Sequence, residues 1–369
     1  TSRSLFNVSA MSYGAISNPA VRALSYGAAK ARIWLNTGEG GLSEYHLEGG
    51  ADLVFQIGTA KYGVRQPDGS LDEQKFASLM SEPNVKMVEL KLAQGAKPGK
   101  GGILPGEKVT EQIAKVRGIA VGEDSISPNR HAEISDNDSL LDMVMRLREL
   151  GGKPVGIKTV VGDFSEFEGL LETINRRGAD CAPDFVTIDG AAGGTGAAPM
   201  SLIDNMGRQL RQTLPRVVDL LVAHDLRDRI KVVASGKLIT PVEVAWALCA
   251  GADFVTSARG YMMALGCIQA LQCNKNTCPT GITTHDKKLQ RGLVAEDKAK
   301  RVARYAKNMH KEIDIIAHAC GVTEPRQLGR QHCALVQEDG IDESLRNLYA
   351  GGLEDSLKHH ATGVYRRPR

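Results

Sequence analysis

The sequence predicts one large α/β domain closed into a (β/α)8 TIM barrel, and three observations carry that expectation. Eight short apolar, β-branched runs alternate with longer stretches of helical periodicity, the pattern of parallel strands joined by crossover helices. The chain has 369 residues, more than two ordinary domains need, whereas a single α/β barrel commonly passes about 250. It has 40 glycines and only 5% aromatic residues, which suits a fold with many tight strand-to-helix turns. Alternation does not by itself show closure, so an open doubly wound sheet is the second reading.

Taken in order, the strand-like runs cover residues 5–11, 33–36, 53–57, 85–92, 155–161, 185–188, 230–234 and 254–256. Helical patterns between them cover 19–31, 140–150, 166–177, 215–224 and 241–250. Pro19, Pro215 and Pro241 open three of these, at the first-turn position where a missing N–H costs nothing. The segment 93–117 is too long and too rich in glycine for a plain connection, and such loops usually carry function. A barrel domain is therefore expected over 1–333, with a cluster-binding loop at 264–285, and a polar tail over 334–369 that frays or packs on a partner. The abrupt start at Thr1-Ser-Arg, just ahead of the first run, raises the expectation that an N-terminal portion precedes it.

Composition excludes several classes. Lys and Arg total 46 against 43 Asp and Glu, a formal charge of +3 that argues for no polyanionic partner. No basic patch with interleaved aromatics is present, so no nucleic-acid partner is expected. No apolar run is long enough to span a membrane. Seven cysteines without a secretory signal point to a reducing, cytoplasmic setting.

Three of those cysteines fall in one short segment, Ala264-Leu-Gly-Cys267-Ile-Gln-Ala-Leu-Gln-Cys273-Asn-Lys-Asn-Thr-Cys278-Pro-Thr-Gly281. A zinc site usually takes four ligands in close pairs, and the next cysteine, Cys320, is distant. A disulfide suits neither the odd number nor the setting. Thiolate ligation of an iron–sulfur cluster fits better, with proline directly after the last ligand, and three thiolates suit a three-iron cluster. Buried free thiols remain an open alternative on spacing alone.

Barrel loops after the seventh and eighth strands commonly hold a phosphate. Here those runs lead into Ser235-Gly236-Lys237 and Ala258-Arg259-Gly260, where glycine admits close backbone approach and Arg259 adds charge. After the sixth run, Asp189-Gly-Ala-Ala-Gly193-Gly194-Thr195-Gly196 is a third glycine cradle. Neither a dinucleotide fingerprint nor a Walker loop occurs, which favours FMN over NAD or ATP. Lys158, inside the fifth run, is costly there unless paired. It serves either as a cation against the flavin ring or as a structural ion pair with a neighbouring strand. Glu39, at the end of the second run, can bind an ammonia or imine nitrogen. Lys91, Gln94, Lys97 and Arg117 follow the fourth run and either converge on the same mouth as a carboxylate pocket or are singly solvated or ion-paired at the surface.

These residues also carry a resemblance. The cysteine spacing, together with Met11-Ser-Tyr-Gly14, Thr37-Gly-Glu-Gly-Gly41, Lys91-Leu-Ala-Gln-Gly-Ala-Lys-Pro-Gly99, Gly193-Gly-Thr-Gly196 and Leu226-Arg-Asp-Arg229, resembles the flavin domain of glutamate synthase over about residues 5 to 320. The chain is most similar to the stand-alone FMN-binding glutamate synthase family proteins. The resemblance implies FMN contacts at Ala10, Met11, Ser12, Gln94 and Lys158, and a 3Fe-4S cluster on Cys267, Cys273 and Cys278. It also implies a 2-oxoglutarate site at Glu39, Lys91, Gln94 and Arg117. It implies reductive amination with ammonia or an amine, fed by ferredoxin or an NAD(P)H-oxidising subunit. The amidotransferase domain and β-helical tail of the glutamine-dependent enzymes are not represented, so a separate glutaminase subunit is a further expected partner. Two stretches depart from the family: Ser127-Pro-Asn-Arg-His131 replaces a proline-rich, paired-histidine stretch, and Ile103 stands in Gly101-Gly-Ile-Leu-Pro-Gly106 where the family has Gln. The Ile103 departure invites a different amine or keto acid as substrate. An electron-transfer role within a larger assembly, or a barrel that has lost its cofactors and only binds, are the other readings.

Overall fold

The computed structural model describes residues 4–192, 198–336 and 340–349. Its centre is a closed barrel of eight parallel strands: β1 (Phe6–Val8), β2 (Leu35–Asn36), β3 (Leu53–Ile57), β4 (Val85–Lys91), β5 (Val155–Thr159), β6 (Phe185–Asp189), β7 (Lys231–Ser235) and β8 (Phe254–Ser257). Each pairs with its neighbours in chain order, and β8 returns to β1 through Phe6↔Val255 and Val8↔Ser257. The expected TIM barrel is therefore the observed fold, and the open sheet is excluded.

All eight sequence-derived runs are barrel strands, because each is apolar on the face toward the helices and short enough for one barrel wall. Inside, alternate residues fill two layers. Near the strand starts, Trp34, Val54, Phe185 and Val233 form an apolar plug with Met87 and Phe254. Gly156 makes room for it, since a Cβ there would stand 2.4 Å from the Phe185 ring. Near the strand ends the interior turns polar. Glu89 accepts hydrogen bonds from Asn36 Nδ2 (2.8 Å), Gln56 Nε2 (2.6 Å) and Thr187 Oγ1 (2.5 Å), so one carboxylate ties four strands together. A buried charge is tolerated only with its lone pairs satisfied in this way.

The five expected helices are present, at Asn18–Ala31, Asn137–Gly151, Phe164–Arg177, Leu210–Ala223 and Pro241–Cys249. One boundary differs. Pro215 does not open its helix but lies inside it, five residues after Leu210. The Arg211 carbonyl that the proline cannot engage accepts instead from the Tyr349 hydroxyl at 3.2 Å. The helices Glu73–Met80 and Ala295–Ala319 were not anticipated. The second has 25 residues and packs across Asn18–Ala31, with Gly27 at the contact: a Cβ there would lie 2.4 Å from Val302.

The glycine-rich segment after β4 is not a bare loop. It carries a two-stranded antiparallel pair, Ile103–Leu104 with Ser125–Ile126, a 3-10 turn at Gly106–Lys108 and a helix at Glu111–Arg117 capped by Thr110. Arg117 Nη2 donates to Tyr13 O at 3.2 Å, which fastens this excursion to the loop after β1. No helix among the described residues is long and apolar enough to cross a membrane.

The plug sets a stability test. Gly156→Ala should lower the midpoint of urea unfolding, costing about 1–3 kcal/mol by overpacking against Phe185. An unchanged midpoint would show that the ring has room to move.

Candidate functional site at the barrel mouth

At the C-terminal ends of the strands lies a cavity of about 310 Å3. Its walls come from the loops after β1 and β2, the ends of β4 and β5, the excursion over Gly102–Arg117, and the segment from Ala258 to Thr283. Glu39, Lys91, Gln94, Lys97 and Arg117 all face into it, as do Lys158, Ala10, Met11, Ser12, Ala258, Arg259 and the three cysteines Cys267, Cys273 and Cys278. Residues from opposite ends of the barrel sequence thus share one chamber.

The polar groups are arranged around Lys91. Its Nζ lies 3.0 Å from Glu39 Oε1 and donates to Gln94 Oε1 at 2.9 Å. Its carbonyl meets His131 Nε2 at 2.9 Å. Burial alone would raise the Glu39 carboxyl, but Lys91, Lys97 and Arg117 outweigh it and hold the group below the usual carboxylate range. Burial, together with repulsion from Lys91, pulls Lys97 down to about 8. Arg117 is buried: Nη1 donates to Ser125 Oγ at 2.9 Å, and the guanidinium stands 4.9 Å from the Tyr62 ring centroid. Its Nε has no hydrogen-bond partner among the described residues. The chamber therefore holds one carboxylate among several cations, an arrangement suited to a small dianion.

Lys158 is ion-paired with a neighbouring strand, as the second of its two readings expected, and also reaches the cavity. Its Nζ is 3.4 Å from Asp189 Oδ2 across to β6, and it still lines the cavity. Burial disfavours its charge, but Asp189 and Glu89 overcome that and raise its pKa. Asp189 does not line the cavity. It accepts from Gly95 N at 2.9 Å and Ser235 Oγ at 2.7 Å, and so anchors Lys158 and two strand ends. Gly236 and Gly260 are likewise outside the lining. Gly236 has φ +136° and lies against Gly190, and Gly260 faces Tyr305, whose hydroxyl would be 2.1 Å from a Cβ. Gly193, Gly194 and Thr195 lie outside the described residues.

The cysteine segment forms the opposite wall. Burial raises the Cys278 thiol, but contacts with Thr280 and Thr283 reverse this and bring it to about 7. Burial and its two sister cysteines push Cys273 upward. Gln269, Leu271 and Asn276 all have positive φ, which folds the segment tightly. Among the described residues no three His, Cys, Asp or Glu side chains converge to hold a single metal ion.

Two participants were not read from the sequence. Lys108 is buried in the cavity wall, its Nζ donating to Ala15 O (2.9 Å) and Cys273 O (3.0 Å). Burial pulls it down to about 8. Gln56, from β3, reaches both the cavity and Glu89. A lysine in Pro105-Gly-Glu-Lys108 gives no sign of burial when its partners are distant backbone carbonyls.

Comparison with known proteins follows this geometry. A family profile described as "Conserved region in glutamate synthase" matches residues 2–323. The chain is 44% identical to the glutamate synthase large subunit-like protein YerD of Bacillus subtilis, over 94% of this chain and 66% of that one. It is 34% identical to the archaeal-type glutamate synthase (NADPH) of Dehalococcoides mccartyi, over 85% of this chain and 59% of that one. The chain thus spans somewhat under two-thirds of these relatives' length. Among solved structures, a mutant flavocytochrome b2 with benzoylformate superposes with a TM-score of 0.52 at 16% identity, over 99% of this chain and 75% of that one. The monotopic membrane protein (S)-mandelate dehydrogenase gives 0.52 at 12% identity, over 89% and 80%. These two likenesses concern the fold.

The lowered Lys97 sets a pH test of the chamber's charge. A small dicarboxylate such as 2-oxoglutarate should bind more weakly as pH rises through about 8, where Lys97 loses its proton. Lys97→Gln should weaken binding at pH 7 and flatten that pH dependence, measured by calorimetric titration; an equally steep dependence would exclude Lys97 as the cause.

Proposed function

The chain belongs to the glutamate synthase family, and on that premise we propose that it is a flavin and iron–sulfur oxidoreductase acting on CH–NH2 donors, which aminates a 2-oxo acid reductively. The single observation that carries this is the shared chamber. A carboxylate-binding cluster of Glu39, Lys91, Lys97 and Arg117 faces a buried lysine and three cysteines within about 310 Å3.

The residues present fit both groups that the family implies. Lys158 is a buried cation facing the cavity and held by Asp189, which suits the carbonyl edge of a flavin ring. The soft thiols of Cys267, Cys273 and Cys278 share one wall, and Cys278 near 7 is readily a thiolate. A polynuclear 3Fe-4S cluster gives each thiolate its own iron, so convergence on one point is not required. When bound, FMN and the cluster supply hydride transfer and single-electron storage that no side chain offers.

The remaining work falls to the chain. Lys97 and Arg117 hold the carboxylates of the 2-oxo acid, and the unpartnered Arg117 Nε adds a donor. Lys91 fixes the Glu39 carboxylate, which stays ionised and accepts a hydrogen bond from ammonia or an amine nitrogen beside the carbonyl carbon. Holding acid and nitrogen together replaces a bimolecular encounter. The excursion between β4 and β5 roofs the chamber and limits water. Electrons enter from ferredoxin or an NAD(P)H-oxidising subunit, with nitrogen from ammonia or a glutaminase subunit, in a cytoplasmic setting.

A second reading rests on Ile103. It lines the cavity and is 47% exposed, an apolar surface where a polar amide would serve 2-oxoglutarate better. This favours an FMN oxidoreductase on another keto acid or amine with an apolar side chain.

The decisive experiment is anaerobic reduction with flavin and cluster signals recorded, then addition of 2-oxoglutarate and ammonia. Flavin reoxidation with glutamate formed is the expected result. Both signals without reoxidation would remove 2-oxoglutarate as substrate and leave another acceptor or electron transfer alone. In the first case Ile103→Gln should lower KM for 2-oxoglutarate by about fivefold, one added neutral hydrogen bond being worth about 1 kcal/mol.

A further inference from the structure

One charge in the wall of the mouth has no part in the chemistry described so far. Lys108 is 1% exposed, and an ammonium so deeply buried is costly unless something answers it. Its acceptors are two backbone carbonyls, Ala15 O at 2.9 Å and Cys273 O at 3.0 Å. No carboxylate stands within ion-pair distance of it among the described residues. A buried lysine held in this way, in the wall of a cavity, is more than a surface charge folded inward.

Its position is built by the turn that carries it. Lys108 ends the 3-10 turn Gly106–Lys108, and Gly106 fixes that turn on both sides. Gly106 N donates to Asp124 Oδ1 at 2.7 Å, and a Cβ on Gly106 would lie 2.2 Å from Gly122 O. The cysteine segment meets the same turn a second time, where Asn276 Nδ2 donates to Glu107 O at 3.4 Å. Two of the three mouth thiols have hydrogen-bond partners of their own. Cys267 Sγ accepts from Gln269 N at 3.4 Å, and Cys278 Sγ lies 3.3 Å from Thr280 Oγ1. Lys108 reaches the third cysteine through its carbonyl, and the covalent geometry of a cysteine then keeps the Cys273 sulfur within about 8 Å of the ammonium.

Resting on the cluster reading given above, we propose that Lys108 is a positioning residue for the cysteine wall: it braces Cys273 against the loop after β1 and raises the reduction potential of the cluster on Cys267, Cys273 and Cys278. Net charge and hydrogen bonding around the sulfurs set the potential of such clusters. An added electron makes thiolate-bound iron more negative, and a fixed cation nearby favours that reduced form. At an effective dielectric constant of about 20, a unit charge about 8 Å away shifts a one-electron equilibrium by about tenfold or more. The same charge on an exposed side chain is screened by water and salt. Lys275, exposed between Cys273 and Cys278, is such a side chain.

The test reconstitutes the full chain anaerobically with iron and sulfide, measures both per chain, and titrates the electron paramagnetic resonance signal of the cluster against potential. Lys108→Gln, which keeps a donor and removes the charge, should retain its iron and lower the midpoint by about 59 mV, the equivalent of a tenfold one-electron shift. Lys108→Arg should keep the wild-type midpoint, and Lys275→Gln should leave it unmoved. A brace without an electrostatic role would give Lys108→Gln the wild-type midpoint, or would cost either Lys108 variant its iron, and each of these results overturns the proposal. So does a Lys275→Gln midpoint lowered as far as that of Lys108→Gln. A wild-type chain that takes up no iron and sulfide would overturn the cluster reading and this proposal together, whereas a wild-type cluster with an unmoved Lys108→Gln midpoint would overturn this proposal alone.

Discussion

The barrel depends on how it satisfies charge at its own centre. Glu89 sits inside the wall, and its two oxygens gather donors from β2, β3 and β6. Lys158, one strand over, is neutralised by Asp189, whose carboxylate is in turn held by Gly95 N and Ser235 Oγ. Removing one member of such a set would leave its partner charged and unpaired in a dry interior, the costly case for buried ions. The upper layer of the barrel is thus kept polar and rigid at once, and the mouth above it inherits fixed positions for Gln56 and Lys158.

That rigid floor is closed by two segments distant in sequence. The excursion after β4 and the cysteine segment after β8 meet over it, and Lys108 joins them by donating to the carbonyls of Ala15 and Cys273. His285 Nε2 lies 2.8 Å from Gly14 O and repeats the connection from the other side. The wall that carries the cysteines and the loop after β1 are therefore positioned by the same side chains. A shift of the cysteine segment would therefore be felt in the chamber at the barrel mouth.

The elements legible in the sequence were those with a local signal. All eight strands announced themselves by short β-branched runs, and the mouth residues by their positions just after those runs. The helix Ala295–Ala319 has amphipathic periodicity but no barrel strand after it, so the alternation that organised the rest did not point to it. Pro215 misled because its usual place is a first turn, whereas here Tyr349, 138 positions away, supplies the compensating donor to Arg211 O. Glu89 and Lys108 were illegible for a related reason: a buried charge is recognisable only through partners, and theirs come from other strands and loops. Asp189, Gly236 and Gly260 stand at strand ends as the sequence placed them, and each also meets a protein neighbour there: Lys158, Gly190 and Tyr305.

The same electrostatics explain why the mouth is built at a cost to the fold. Lys97 and Lys108 both titrate near 8 in the folded chain, below the 10.5 of a solvated lysine. Their protonated forms are thus disfavoured by folding. The penalty is fully present below about 8 and is relieved as pH rises from there toward 10.5, where the unfolded chain binds more protons than the folded one. Glu39 offsets part of it, since its carboxylate is held ionised by the same lysines and by Arg117. One carboxylate among several cations leaves an excess of positive charge in a partly closed cavity. A dicarboxylate bound there, as proposed, would remove that excess, and its affinity would draw on free energy stored during folding and not only on new contacts. The cations are thus destabilising in the empty chamber and complementary in charge to the proposed substrate.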